Sequence, residues 1–187
     1  MMIKNEVLRY FFPLMLATLC AWAQAGERID EVYASWGTGP QHNKHQHNSQ
    51  VALDYNFYRW ERSARQSFSV GMGYTRLWTD VATDSSIKVF SVYPQLTLWP
   101  VRESMRGTYF FVRALGPSYL SDNRLGRRQQ AEHFAFQAQV GVGYRKQLNA
   151  DKALMFQVSF KHFSNANLFN DNDGIDIPFV LTFGFSY

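Results

Sequence analysis

Large apolar residues alternate with small or polar ones through most of this chain, at the period of two that marks half-buried strands. Near the C-terminus Phe179, Leu181, Phe183, Phe185 and Tyr187 alternate with Val180, Thr182, Gly184 and Ser186, so the two sets project to opposite faces of one strand. Phe134, Phe136, Ala138, Val140, Val142 and Tyr144 oppose Gln137, Gln139, Gly141, Gly143 and Arg145 in the same way. Val51, Leu53, Tyr55 and Phe57 likewise oppose Asp54 and Asn56. Read throughout, the pattern predicts an all-β chain of eight strands near 28–37, 49–61, 66–78, 87–100, 107–118, 132–147, 152–164 and 176–187. Pro94 interrupts the fourth, and its missing ladder donor predicts a local irregularity.

Strands with one apolar face close into a barrel in two ways. A water-soluble barrel turns its large apolar residues inward, and a membrane barrel turns them toward lipid. Parity alone does not choose. The first 25 residues do: Lys4 and Arg9 make a basic start, Tyr10 to Trp22 is mostly apolar, and Ala23-Gln24-Ala25 is a small-x-small cleavage site. An export signal over 1–25 is therefore expected, followed by one barrel domain over 26–187. The only cysteine, Cys20, falls in the signal, so neither a disulfide nor a thiol nucleophile is expected in the exported protein. Leu19 stands where a small residue would precede a lipidated cysteine, which argues against a lipoprotein.

Composition narrows the class further. An aromatic content of 17% is too high for a disordered chain, and a mean hydropathy of −0.30 is too low for a helical membrane protein. After the signal there is no apolar run of about 18 residues to span a bilayer as a helix. Removing Lys4, Glu6 and Arg9 with the signal takes the formal charge from +4 to +3, which in an exported chain suits anionic lipid headgroups rather than nucleic acid. Export, the terminal Tyr187 and tryptophans at strand ends together predict an eight-stranded antiparallel transmembrane β-barrel with periplasmic termini. Trp60 and Trp99 would lie in the inner aromatic girdle, and Trp36 and Trp78 in the outer one. The short links near 62–65, 101–106 and 148–151 would then be periplasmic turns, and the longer polar ones near 38–48, 79–86, 119–131 and 165–175 external loops.

Candidate chemistry concentrates in the seventh strand. Leu154, Phe156, Val158 and Phe160 form its lipid-facing side, and the same parity continues to His162 and Ser164. An ionisable ring and a hydroxyl on such a surface are costly unless they have partners or a use. Residues two apart on a strand share a face, so His162 could take the proton of Ser164, and Asp176 could fix the imidazole tautomer. The competing reading is an interfacial histidine beside a serine that ends the strand. In the first long loop His42, His45 and His47 fit no strong metal-site spacing, and solvated loop residues are expected there.

His162-Phe163-Ser164-Asn165-Ala166, a short spacer and Asn172-Asp173-Gly174-Ile175-Asp176 resemble the signature of the outer-membrane lipid A 3-O-deacylases. The motif covers about 15 residues, and the signal, the eight strands and the terminal aromatic agree with that family over the rest. The resemblance implies a serine esterase that hydrolyses the ester-linked 3-hydroxyacyl chain at the 3 position of lipid A. Its nucleophile would be Ser164, its general base His162 and its acid Asp176, with Asn172 at the oxyanion site and Asn165 supporting the loop. Two positions depart from the family pattern: Asp176 stands where glutamate is usual, and Asn167 where glycine is usual. Lipopolysaccharide is the partner implied, with Arg124, Arg127 and Arg128 as candidate phosphate contacts or simply a solvated basic loop. A homodimer stays open, and no metal or organic cofactor is expected. Two rivals remain at this point: a non-catalytic barrel serving as anchor, adhesin or defence protein, and a lipid A acyltransferase on a similar barrel.

Overall fold

A computed structural model describes residues 26–42, 45–100 and 106–187; the expected export signal lies outside these residues. Ten strands follow in chain order: β1 (Glu27–Pro40), β2 (His47–Ser63), β3 (Gln66–Thr79), β4 (Ser86–Leu98), β5 (Gly107–Leu120), β6 (Arg124–Leu125), β7 (Arg128–Gln129), β8 (Phe134–Gln147), β9 (Ala153–Ser164) and β10 (Ile175–Ser186). Eight of them pair antiparallel around a closed barrel in the order β1-β10-β9-β8-β5-β4-β3-β2. The ladder between β1 and β10, from Glu31↔Ser186 to Thr38↔Phe179, completes the closure and leaves no open sheet edge. All eight predicted strands are present. The hairpin of β6 and β7 inside the 121–133 connection is additional, being too short to show any alternation.

The two faces have opposite chemistry. Leu53 is 60%, Phe183 59% and Phe110 50% exposed on the outside, and Val140, Phe156, Phe160, Leu181 and Phe185 continue the apolar belt around the barrel. A surface of that extent is stable only against lipid. Inside, Arg113 donates from Nη1 to Asp54 Oδ2 at 2.6 Å and from Nε to Gln95 Oε1 at 2.8 Å, and its guanidinium lies 4.0 Å from the Tyr93 ring centre. Glu31 receives Arg59 and Arg145 together. Each buried charge thus has a hydrogen-bonded partner, the condition under which burial of an ion pair is tolerated.

Toward the end that carries the long connections, the lumen turns apolar. Leu77, Ile87, Leu120, Leu125, Phe163 and Ile177 are among the side chains that meet there as a plug. A cavity of about 20 Å³ beside Glu31, Tyr33, Arg59, Trp99 and Arg145, near the other end, is about the size of one water.

The tryptophans correct one expectation. Trp36 and Trp78 face outward at the long-loop end, as a girdle requires, and Trp60, opposite Phe68 in the ladder, stands on the outer face at the other end, but Trp99 is buried in the lumen. Trp99 turns in against Tyr109 and Phe111, and Trp60 is covered by the rings of Tyr58 and Phe68. The irregularity expected at Pro94 is real and one-sided. β3 pairs straight through Val70↔Pro94, whereas the register with β5 shifts between Ser91 and Gln95.

A second bulge governs the site. Phe179, Leu181, Phe183 and Phe185 face outward, and strict alternation would carry Asp176 into the lumen. The register of β10 on β9 shifts between Ile177 and Val180, so Pro178 and Phe179 both stay outside. Beyond the shift Ile175 and Ile177 are buried and Asp176 points out. Proline lacks the donor that an unbroken ladder would need, and a bulge re-aims the side chains next to it.

Candidate active site

The register that follows the bulge pairs Asp176 with His162 across β10 and β9, on the outer face. His162 Nδ1 lies 2.6 Å from Asp176 Oδ1, with the two side chains 31% and 16% exposed. A carboxylate only accepts, so Nδ1 carries the proton and Nε2 is the ring nitrogen left free to take one. Phe160 stacks on the imidazole from below, with an interplanar angle of 14°. Gly174 closes the other side: a Cβ there would sit 2.4 Å from His162 Cε1. The ring is held between an aromatic face and bare backbone.

Ser164 is the last residue of β9, on the face of His162 and about 6.8 Å farther along, two residues of strand rise. Its Oγ accepts from Ala166 N at 3.4 Å. No hydrogen bond of the described residues joins Ser164 to His162. Ala166 and Asn167 take φ of 54° and 59°, so the chain turns sharply after the serine and the Ala166 amide points back to it. Asparagine tolerates this conformation, so Asn167 holds the turn without the usual glycine.

Asn172 and Asn165 lock the turn. Asn172 Oδ1 accepts from Asn165 N at 2.9 Å, Asn172 Nδ2 donates to Asn167 Oδ1 at 2.9 Å, and Asn165 Nδ2 donates to Asp171 O at 2.6 Å. Asp173 is occupied elsewhere, accepting from Gln129 N at 3.3 Å with Arg128 Nη1 at 3.7 Å. Of the three candidate arginines, Arg128 also donates to His42 O, Arg124 reaches Gln129 Oε1 at 2.9 Å and Asp84, and Arg127 is exposed. His47 Nδ1 approaches Thr38 Oγ1 at 3.5 Å, and among the described residues no cluster of three or more His, Cys, Asp or Glu could hold a metal ion.

Residues that the sequence did not single out surround the acid. Gln41, Asn48 and Gln46 form a buried chain of amides behind Asp176, and Gly174 shapes the imidazole's seat. The three amides belong to no pattern with chemical meaning along the chain, and only the barrel brings the β1–β2 connection to the start of β10; Gly174 lies within the motif, but the motif gives it no role. On the other flank Phe136 lies opposite Ser164 in the ladder and meets Phe134 edge-on. Phe134 lines an open, mainly apolar groove of about 470 Å³ with Phe90, Val92, Pro117, Tyr119 and His133.

Comparison with known proteins shows the family and the fold. A family model described as "Lipid A 3-O-deacylase (PagL)" matches residues 47–186. Among solved structures, the crystal structure of the outer membrane enzyme PagL is similar at a TM-score of 0.56 with 20% identity, over 82% of this chain and 97% of that one, a likeness of fold. The outer membrane protein OprG from Pseudomonas aeruginosa has a TM-score of 0.42 with 12% identity, over 88% of this chain and 97% of that one. No curated protein matches the sequence.

Proposed function

Because this chain belongs to the lipid A 3-O-deacylase family, we propose that it performs that reaction with Ser164 as nucleophile, His162 as general base and Asp176 as the orienting acid. The protein is a lipid A 3-O-deacylase of the Gram-negative outer membrane, acting on lipopolysaccharide. The observation that carries the mechanism is the 2.6 Å contact of His162 Nδ1 with Asp176 Oδ1, with Ser164 next along the same lipid-facing side.

In this reading the Ser164 hydroxyl attacks the ester carbonyl as its proton passes to His162 Nε2. Asp176 stabilises the imidazolium that forms. The Ala166 amide in the left-handed turn stabilises the oxyanion, with Asn172 holding the turn's conformation. Collapse of the tetrahedral intermediate breaks the ester bond, and His162 returns the proton to the departing 3-hydroxyl of the sugar. Water, deprotonated by His162, then releases the 3-hydroxy fatty acid from Ser164. Asp176, one methylene shorter than the usual glutamate, reaches the ring directly because it stands opposite His162 in the ladder.

With periplasmic termini, the site lies at the outer leaflet, where the substrate resides, and the lipid need not leave the membrane. The groove flanking Phe134 and Phe136 offers an acyl chain an apolar path, and the exposed Arg127, with Arg124 nearby, suits a lipid A phosphate. All three triad members come from one β9–β10 hairpin, so a second copy is not needed to complete them. Mass spectrometry of lipid A from cells carrying wild-type or Ser164→Ala protein at matched membrane levels tests the mechanism. Loss of 3-O-deacylation with the barrel still inserted is expected, and retained activity would remove Ser164 as nucleophile.

A further inference from the structure

We propose that Gln41 is a positioning residue for this reaction, fixing one oxygen of Asp176 so that the other is presented to His162; the proposal rests on the triad reading above. Gln41 follows the last residue of β1 and is only 3% exposed. Its Oε1 accepts from Asp176 N at 2.9 Å and from Asn48 Nδ2 at 2.7 Å. Two donors on one side of an amide identify that side as the oxygen, so the other end is the NH₂ group. That end, Nε2, donates to Asp176 Oδ2 at 2.5 Å. One side chain thus grips both the backbone and the carboxylate of Asp176.

The grip matters because the terminal torsion of an aspartate is a broad rotor with weak preferences of its own. Bound only to His162, the carboxylate could swing and take the imidazole with it. With Oδ2 held by Gln41, Oδ1 faces Nδ1. Gln41 is itself braced. Asn48, fully buried on β2, donates to Gln41 Oε1 and to Asp176 O at 3.0 Å, while its Oδ1 accepts from Gln46 Nε2 at 2.7 Å. Gln46 Oε1 then accepts from Arg127 N at 2.7 Å, tying the series to the connection that holds β6 and β7. The described hydrogen bonds link Gln41 to neither His162 nor Ser164, so its influence passes through Asp176.

The test uses the full chain refolded in lipid A-containing liposomes, with release of 3-hydroxy fatty acid giving kcat and KM. Gln41→Met keeps most of the volume and removes the donor. The expected result is a fall in kcat of about 10- to 100-fold, the range for a hydrogen bond to a charged group, with KM little changed. Gln41→Ala carries the same measurement if the methionine variant does not fold. In an Asp176→Asn background the Gln41 substitution should cost almost nothing further, because both changes act through one carboxylate. In protein labelled with ¹⁵N-histidine, the Nδ1–H tautomer of His162 should give way to a mixture in Gln41→Met, a change that a merely structural role would not cause. Wild-type kcat in folded Gln41 variants, or a full multiplicative loss in the Asp176→Asn background, overturns the proposal. Full activity of Asp176→Asn would overturn the triad reading and Gln41's role together, whereas an inactive Asp176→Asn beside a fully active Gln41→Met overturns only the latter.

Discussion

Replacing Gly174 by alanine tests the site through a single methyl group. The added Cβ would lie 2.4 Å from Cε1 and 3.1 Å from Nε2 of His162. Carbon atoms pack at about 3.5 Å or more, so the imidazole has to retreat by roughly 1 Å. Its contact with Asp176 is 2.6 Å long, and a retreat of that size takes it to about 3.6 Å, where a hydrogen bond no longer exists. Misplacement of a catalytic group by about 1 Å costs on the order of 100-fold in rate. The backbone is not the obstacle, since φ of Gly174 lies outside the left-handed region and alanine can adopt it. Gly174→Ala should therefore fold, insert and lose about 99% of its turnover, measured as 3-hydroxy fatty acid released per folded molecule. Gly143→Ala is the control: its Cβ would meet Tyr109 Cζ at 2.3 Å in the lumen. Overpacking there should lower stability by about 1–3 kcal/mol and leave turnover per folded molecule unchanged. Wild-type turnover in folded Gly174→Ala would refute the argument, because the ring would then be working from a place that this geometry calls unproductive.

Asp176→Asn should lower turnover by about four orders of magnitude by favouring the wrong tautomer, and Asp176→Glu should keep a substantial part of it. Asp173→Asn should matter less, since Asp173 meets Arg128 and Gln129 rather than the imidazole; an activity loss confined to the Asp173 variant would reassign the acid. Deleting Pro178 should remove the bulge, turn Asp176 toward the lumen and abolish deacylation in a barrel that still migrates as folded on gels, and an active deletion variant would show that the bulge is dispensable. Arg113→Ala leaves the Asp54 charge buried without its partner and should destabilise the barrel by about 3–5 kcal/mol in denaturant titrations in lipid, with little effect on the rate of the folded fraction.

Alternation carried most of the fold. Each predicted strand exists, and the outward parity of Phe156, Phe160, His162 and Ser164 follows from counting by twos along β9. Counting fails where the backbone departs from the pleat. The outward aim of Asp176 depends on one extra residue at Pro178, and the proline hints at a break without giving its sense. Trp99 was misplaced for another reason: position at a strand end does not determine whether a ring meets lipid or an aromatic neighbour in the lumen such as Tyr109. Gln41, and the role of Gly174 within the motif, were illegible because their importance is a matter of three-dimensional neighbours. Gln41 lies 135 positions from Asp176 and acquires meaning only when β1 pairs with β10.

The apolar plug bears on the cell as well as on the enzyme. An outer membrane protects by excluding bile salts, dyes and antibiotics, and every open-bored protein added to it is a potential leak. Here Leu77, Leu120, Phe163 and Ile177 stopper the bore at one end, and paired charges such as Arg113 and Asp54 fill it farther in. The proposed triad sits on the outer wall, not in the bore, so copies can accumulate without admitting solutes. A cell could thus remodel its surface lipid by raising the amount of this protein while its permeability barrier stays intact.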